Sequence, residues 1–225
     1  MSIKIDLRNQ VRQTNLPKWK PLLPLFEAVM NSFQAIRETN LKANGNITVN
    51  IEREKLLLTE DNPAVIGFQI TDDGIGLTDE NFDSFNTAFS PQKMRIGGKG
   101  LGRFTWLKTF DRVQISSTFK DSTGELLRRS FVFDEDYDLD DRGLPRPVAA
   151  GTTGTIVRLL DYRDAYKIEC PRTVEVIVEK LIEHFLLVLL EPDCPHLAVR
   201  DLGQTYDING IFEKDLQDRC VGPFV

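Results

Sequence analysis

An amphipathic helix is predicted over residues 25–36, because apolar side chains recur there at intervals of three or four positions. The positions predicted to face a core are Phe26, Val29, Phe33 and Ile36. Glu27 and Asn31 lie one helical turn apart and project from a common side, with Gln34 beside them. Such a polar side is usually solvated, although a carboxylate and a carboxamide so placed can also act as a general base and a metal ligand.

Elsewhere the alternation of apolar and polar residues predicts short strands with helices between them. Strands are predicted at residues 3–7, 47–53, 65–71, 113–119, 126–133 and 151–160, with a short pair at 196–200 and 204–208. Helices are predicted at 24–40, after Thr78 or Asp79, at 100–110 and at 173–190. The last of these is apolar all round toward its C-terminal end, so we expect that end to be buried.

Mostly antiparallel strands with grouped helices are typical of an α+β fold. We therefore predict a two-layer α/β sandwich, in which a mixed, mostly antiparallel sheet carries helices on one face. Residues 88–99 have no apolar period and contain proline, glycine and basic residues, so they predict a mobile loop. We assign residues 1–165 to one domain, and 166–225 to its C-terminal extension or to the start of a next domain in a longer, truncated protein.

Composition and charge narrow the choice of partners and compartments. Hydrophobic residues make up 41% and charged residues 28% of the 225 residues, as is ordinary for a soluble globular protein. The net charge of −6 gives no overall attraction to nucleic acid or to an anionic membrane, so nucleic-acid binding would need a local basic patch. Three widely spaced cysteines favour reduced thiols in the cytoplasm, and no apolar run is long enough to span a membrane.

A carboxylate followed by glycines ends the strand predicted at 65–71. Asp72, Gly74 and Gly76 form the pattern D-x-G-x-G. The aspartate can accept a hydrogen bond from an exocyclic amine such as that of adenine, and the glycines let the backbone turn sharply and approach a ligand closely. Taken alone, the same pattern also describes an ordinary acidic turn.

Glycines and cations are concentrated just before the helix predicted at 100–110. Four glycines occur within residues 97–102, around Lys99. Three more cations lie nearby, namely Lys93, Arg95 and Arg103. A helix start of this kind can direct backbone N–H groups at phosphates while the cations neutralise phosphate charge, although it also fits a flexible surface loop. The segment matches neither the P-loop nor the dinucleotide-binding motif.

Four motifs in a fixed order resemble the GHKL ATPases, the superfamily that includes DNA gyrase, MutL, heat-shock chaperones, MORC proteins and sensor histidine kinases. The motifs are E-x-x-x-N at Glu27 and Asn31, the D-x-G-x-G that begins at Asp72, the glycine-rich segment, and the pair Gly154 and Thr155 before a strand. The resemblance covers roughly residues 22–160. It implies a Bergerat fold with ATP and Mg²⁺ as ligands, and residues 88–99 as a mobile ATP lid.

At the phosphate end, the resemblance implies that Glu27 is the general base that activates the attacking water and that Asn31 holds Mg²⁺. The residues that would close over the phosphates are Gly98, Lys99, Gly100, Leu101 and Gly102. Gln34 stands where many relatives carry an aspartate, so a carboxylate role at that position is not implied here.

At the adenine end, the resemblance implies that Asp72 accepts a hydrogen bond from the adenine amino group. Asp73 is less favoured because it occupies the variable position of the motif. Gly74 and Gly76 would let the base approach, and Thr155 would lie near it.

The implied function is Mg-dependent ATP binding and hydrolysis, with nucleotide-driven homodimerisation of a larger protein that has downstream domains or a protein partner. Such an ATPase can be weak as an isolated domain. Two alternatives remain open: an ATP-binding conformational module with little or no hydrolysis, and a histidine-kinase-type phosphoryl donor. An ATPase is favoured over a kinase because Glu27 stands at the position of the hydrolytic base and no helical hairpin precedes the fold.

Overall fold

A computed structural model of the chain describes residues 7–55, 62–86, 102–137 and 143–220. The helices are α1 (Leu7–Gln13), α2 (Leu23–Arg37), α3 (Asp79–Asn86), α4 (Gly102–Thr109), α5 (Asp164–Lys167), α6 (Val174–Leu189) and α7 (Ile208–Cys220). The strands are β1 (Asn46–Arg53), β2 (Val65–Asp72), β3 (Phe110–Lys120), β4 (Leu126–Asp134), β5 (Arg146–Pro147), β6 (Gly154–Tyr162), β7 (His196–Asp201) and β8 (Gln204–Asp207). Across these ranges no helix has the length and apolar character that crossing a membrane requires.

The eight strands of the described residues form one sheet in the order β5-β4-β3-β6-β2-β1-β7-β8. Every neighbouring pair is antiparallel except β1 and β7, which run parallel with Val49 opposite Val199. This arrangement confirms the predicted α+β fold with a mixed, mostly antiparallel sheet. Strands β7 and β8 come after residue 165, so the C-terminal part of the chain continues the same sheet.

One face of the sheet carries the core, which makes the two-layer sandwich. On β1, Ile47, Val49 and Ile51 are buried, whereas Thr48 and Asn50 between them are only half-buried. This alternation follows from the period of two along a strand, which sends successive side chains to opposite faces. Burial of each large apolar side chain contributes roughly 1.5–3 kcal/mol to the fold.

Helix α2 packs a continuous stripe of side chains against this core. Its buried residues are Pro24, Leu25, Ala28, Val29, Ser32, Phe33 and Ile36. The prediction holds for Val29, Phe33 and Ile36, which are fully buried, but Phe26 is half-buried and stacks on His184 with ring centroids 4.2 Å apart. Ser32 occupies a place in the buried stripe, so its hydroxyl needs a hydrogen-bond partner inside the protein.

The predicted segment boundaries differ from the structure at the N-terminal end. The alternation at 3–7 predicts a strand, but Leu7 begins helix α1 and residues 1–6 lie outside the described residues. Helix α3 begins after Thr78, whose hydroxyl accepts a hydrogen bond from the backbone N–H of Asn81 at 3.2 Å, so Thr78 is the predicted cap. Residues 88–99, predicted to be a mobile lid, lie outside the described residues.

The prediction that the C-terminal end of α6 is buried is wrong on one side of that helix. Phe185 and Leu189 are buried against the core, as predicted. Leu186, Leu187 and Leu190 are 43%, 78% and 55% exposed. Helix α6 packs through one stripe of buried residues, so apolar residues on its other side stay in contact with water.

A buried ion pair ties β1 to β7. Arg53 donates to Asp201 through Nη2 at 2.6 Å and through Nε at 2.7 Å, and both side chains are 4% exposed. The Nη1 group of Arg53 donates to the carbonyl oxygens of Pro63 and Arg172. The guanidinium therefore fixes the parallel strand pair together with the segments that precede β2 and α6.

Candidate functional site

A cleft opens between helices α2 and α3 and the adjoining ends of strands β2 and β6. Its apolar walls include Ala28, Phe85, Trp106, Ile115 and Val157. Its polar groups include Asn31, Gln34, Asp72, Asn81 and Thr155. The space that the described residues enclose is about 120 Å³, which is below the range of roughly 300–1,000 Å³ that small-molecule sites occupy.

Asp72 lines the cleft while remaining only 7% exposed. Its Oδ2 accepts a hydrogen bond from the hydroxyl of Ser32 at 2.8 Å. Its Oδ1 accepts hydrogen bonds from the backbone N–H groups of Gly74 at 3.0 Å and Thr155 at 3.2 Å. An ionised carboxylate offers about four acceptor positions. The three donors therefore leave capacity for one more.

Burial raises the pKa of Asp72 from 3.8 to about 6. The hydrogen bonds from Ser32, Gly74 and Thr155 lower this pKa, while the nearby charge of Asp73 raises it. Among the described residues no cation contributes to this balance, and the hydrogen bonds that stabilise the carboxylate come from neutral donors. At neutral pH the group is ionised, and this ionisation costs the fold on the order of 3 kcal/mol.

A pair of hydroxyl groups fixes the surroundings of Asp72. Strand pairing sets Thr155 directly opposite Asp72. The Thr155 Oγ1 lies 2.9 Å from the Ser117 Oγ, which also accepts a hydrogen bond from the backbone N–H of Leu77 at 2.7 Å. The start of β6 and the turn after β2 are therefore held by one network.

The turn after β2 lies directly on helix α2, and Gly74 makes this contact possible. A Cβ atom at Gly74 would lie 2.7 Å from the Cβ of Ala35, closer than packed side chains approach. The backbone N–H of Ile75 donates to the carbonyl oxygen of Ala35 at 3.0 Å. Contact with the helix therefore explains the first glycine of the motif, while the second, Gly76, lines the cleft.

The two adjacent aspartates have different surroundings. Asp73 accepts hydrogen bonds from the backbone N–H and the Nδ2 of Asn46, at 2.8 and 2.9 Å. It fixes the start of β1, and Asp72 is the residue that lines the cleft. The preference for Asp72 over Asp73 in adenine recognition stays a prediction.

The polar side of α2 meets two different regions. Asn31 and Gln34 line the cleft, as does the buried Ser32. In the part of the chain that the structure describes, Glu27 is not among the lining residues. Its carboxylate lies against Gly102 at the start of α4, where any Cβ atom would collide with it.

Arg103 lies beside the cleft without lining it. Its side chain is buried, and its guanidinium lies near the rings of Phe85 and Phe104, at 5.5 and 5.0 Å from their centroids. The Nη1 group donates to the carbonyl oxygen of Ser84 at 3.5 Å. Burial lowers the pKa of Arg103 to about 10, so it stays charged at neutral pH. The arginine thus joins the start of α4 to helix α3.

Part of the predicted site lies outside the described residues. Gly98, Lys99, Gly100 and Leu101 lie outside the described residues, as do Lys93 and Arg95. Gly102 begins α4, and Asn31, Asp72, Gly76 and Thr155 meet in one cleft.

Sequence reasoning missed two residues that define the environment of Asp72. Ser32 lies at the spacing of the buried stripe on α2, and a polar residue in such a stripe signals a buried hydrogen bond. Ser117 gave no local signal, because its partners, Leu77 and Thr155, come from segments that only the sheet brings together.

No protein-family model matches the chain, and no curated protein matches it in sequence. The functional conclusion therefore depends on the cleft and on the motifs that line it.

Proposed function

We propose that the chain is a GHKL-type domain that binds and hydrolyses ATP with Mg²⁺. The observation that carries this proposal is Asp72, a buried carboxylate held by three neutral donors at the floor of a cleft. A buried charge without a cation is unfavourable for folding, and proteins keep such groups mainly where they have a function.

The remaining acceptor capacity of Asp72 suits a nitrogen donor such as the amino group of adenine. The apolar walls of the cleft, among them Ile115 and Val157, suit the faces of a flat heterocycle. A hydrogen bond to an ionised acceptor is about twice as strong as one between neutral groups. Adenine recognition would thus use the Asp72 carboxylate, whose ionisation lowers the stability of the fold.

At the other end of the site, Asn31 and the start of α4 suit the phosphates. Mg²⁺ usually takes one or two protein ligands and completes its shell with phosphate oxygens and water. Asn31 lines the cleft and would supply one amide oxygen in that pattern, and the ion would neutralise phosphate charge. The N-terminal end of α4 offers backbone N–H groups beside the Glu27 carboxylate.

Hydrolysis requires a water molecule aligned with the bond between the γ-phosphorus and its bridging oxygen. Water would attack the phosphorus, the bridging bond would break, and ADP would leave with the electron pair. Glu27 would accept the proton of the attacking water. In this role its contact with Gly102 would orient the carboxylate toward the start of α4.

We further propose that nucleotide binding drives homodimerisation of a larger protein, which places the domain among ATP-dependent switches. This part rests on analogy with the superfamily. The free thiols of Cys170 and Cys194 suit a cytoplasmic location.

Four proteins test the proposal: the wild type, Glu27→Ala, Asp72→Asn and the control Asp83→Asn, which alters an exposed aspartate of α3. ATP affinity and phosphate release are measured for each. We expect Glu27→Ala to bind ATP normally and to lose at least about a hundredfold in hydrolysis, the usual effect of removing a general base. We expect Asp72→Asn to lose binding and Asp83→Asn to resemble the wild type. Wild-type hydrolysis by Glu27→Ala would contradict the base assignment.

A second candidate function is an ATP-binding conformational module with little turnover. It is favoured by the position of Glu27, which packs on Gly102 and does not line the cleft within the described residues. Tight ATP binding without phosphate release by the wild type would select this function. Transfer of the γ-phosphate of ATP to a histidine of a partner protein would select a kinase instead.

A further inference from the structure

A second concave surface lies between helices α6 and α7, away from the cleft. Its floor is apolar and includes Val178, Ile182 and Leu186 from α6, with Ile211 and Phe212 from α7. Its rim carries the acidic residues Glu175, Glu179 and Glu183 from α6, and Asp215 from α7. We call this surface the acidic groove.

The groove is left open although its floor is apolar. Val178 and Phe212 are buried, Ile182 and Ile211 are half-buried, and Leu186 is 43% exposed. The apolar stripe does not end at the groove. Leu190 lies one turn beyond Leu186, at 55% exposure, and Leu187 beside it is 78% exposed. A continuous apolar surface of this kind, bordered by charge, is typical of a protein interaction site.

The sequence pattern of α6 supports the same conclusion. From Phe185 to its end at Leu189 the helix is apolar all round, a pattern that normally means burial on every side. The protein core covers only one side of this end of α6. The all-round apolar pattern is therefore explained if another molecule covers the exposed side. Conflicts between a local pattern and its surroundings tend to occur at functional sites.

The charge of the rim identifies the chemistry of that molecule. Glu175, Glu179 and Glu183 follow one another at intervals of four residues, so they repel each other along the helix. Lys180 pairs with Glu183 at 2.7 Å, and the described residues contain no ion pair for the other two or for Asp215. A cationic partner would relieve this repulsion.

The dimensions of the groove favour a helical partner. From Glu175 to Leu186 the wall of α6 spans about 17 Å, which matches three turns of a helix. Two packed helices offer a groove that the ridge of a third helix can fill. We propose that the acidic groove is the docking site for a basic amphipathic helix of a protein partner, with apolar residues at helical spacing and lysine or arginine on both flanks.

The probe is a fluorescent 18-residue peptide of leucine and lysine with the leucines at helical spacing. The matched probes are the same peptide with glutamate in place of lysine, and a scrambled leucine–lysine peptide of equal charge. Binding to the full chain is followed by fluorescence anisotropy. We expect the first peptide to bind at least about tenfold more tightly than either matched probe, because only it has both the charge and the apolar face.

Three variants locate the binding. The double variant Glu175→Lys/Glu179→Lys should weaken binding at least about tenfold, and Leu186→Ser should weaken it about fivefold. Glu213→Lys is the control, because Glu213 is an exposed residue of α7 that does not line the groove; it should change affinity less than about twofold. The four altered positions are exposed, and circular dichroism tests whether each variant is folded.

Four results would overturn the proposal. They are the absence of binding, equal binding of the scrambled peptide, an equal loss in Glu213→Lys, and self-association of the wild type that Leu186→Ser abolishes. The last would show that a second copy of the chain covers the groove.

Discussion

Asp72 and Asp201 are buried to nearly the same extent, 7% and 6% exposed, yet the protein treats their charges differently. Asp201 meets the guanidinium of Arg53 in a two-point ion pair. Asp72 is held by one hydroxyl and two backbone N–H groups, and no cation of the described residues contributes to its surroundings. In the first arrangement the charge of the aspartate is neutralised by an arginine inside the fold. The second leaves a strong acceptor at the floor of a cleft, which is the arrangement that a ligand site requires.

The largest effect should come from breaking the structural pair. Arg53→Met leaves Asp201 buried without its partner, so we expect the free energy of unfolding to fall by about 3–5 kcal/mol. The control is Arg112→Met, which removes an exposed arginine paired with Asp161 at 3.0 Å and should change stability by less than about 1 kcal/mol. Urea unfolding measures both. A similar loss of unfolding free energy in the two variants would mean that the buried Arg53 pair stabilises the fold no more than the exposed pair does.

Neutralising the other aspartate should have the opposite sign. Asp72→Asn keeps the shape of the side chain and an acceptor for the backbone N–H groups of Gly74 and Thr155. It removes a charge that has no cationic partner in the part of the chain that the structure describes. We expect the variant to unfold at higher urea concentration than the wild type at pH 7.5, with a gain of up to about 3 kcal/mol. A loss of stability would show that the buried charge is compensated by interactions of the fold alone.

The stability difference between Asp72→Asn and the wild type should depend on pH in a defined direction. Burial raises the pKa of Asp72 from 3.8 to about 6, so between these values the folded state binds more protons than the unfolded state. The Asp72 contribution to stability is therefore intact below about pH 4 and is lost as the pH rises through 6. Urea unfolding of both proteins from pH 4 to 7.5 should show a small difference at pH 4 that grows and then levels off above pH 6. A difference that does not change with pH would exclude the ionisation of Asp72 as its cause.

Ser32→Ala should have the smallest effect and should also depend on pH. Removal of the hydroxyl leaves Asp72 with two donors, so we expect a loss of about 2 kcal/mol at pH 7.5, where the carboxylate is ionised. At pH 4 the loss should shrink, because the hydroxyl then bonds a neutral group. The control Ser130→Ala alters an exposed hydroxyl 2.9 Å from Ser116, and should change stability by less than about 0.5 kcal/mol. Equal losses at both pH values would contradict a bond to an ionised carboxylate.

Secondary-structure elements could be predicted from the sequence where interactions between neighbouring residues determine them. The hairpin of β3 and β4 follows from its turn, in which Asp121 accepts hydrogen bonds from the backbone N–H groups of Thr123 and Glu125. Strand β7 lies between β1 and β8 in the sheet and runs parallel to β1. This position could not be predicted, because no local pattern encodes pairing between segments about 150 residues apart.

The candidate site could be predicted in part for the same reason. Asp72 and Asn31 belong to motifs of contiguous sequence, and they line one cleft. The contact of Glu27 with Gly102 and the network around Ser117 arise from packing between distant segments. The exposed leucines at the end of α6 show the opposite case, in which the sequence pattern indicates burial that this chain alone does not provide.

The most direct test of a ligand role for Asp72 is calorimetric titration with ATP and with inosine triphosphate, which carries a carbonyl oxygen in place of the adenine amino group. We expect wild-type protein to bind ATP at least about tenfold more tightly than inosine triphosphate, because a carboxylate accepts a hydrogen bond from an amine and repels a carbonyl. Asp72→Asn should lose most or all of its affinity for ATP, and any affinity that remains should not favour ATP over inosine triphosphate. Equal affinity of the wild type for the two nucleotides, or an unchanged preference in Asp72→Asn, would contradict the assignment of Asp72 to adenine recognition.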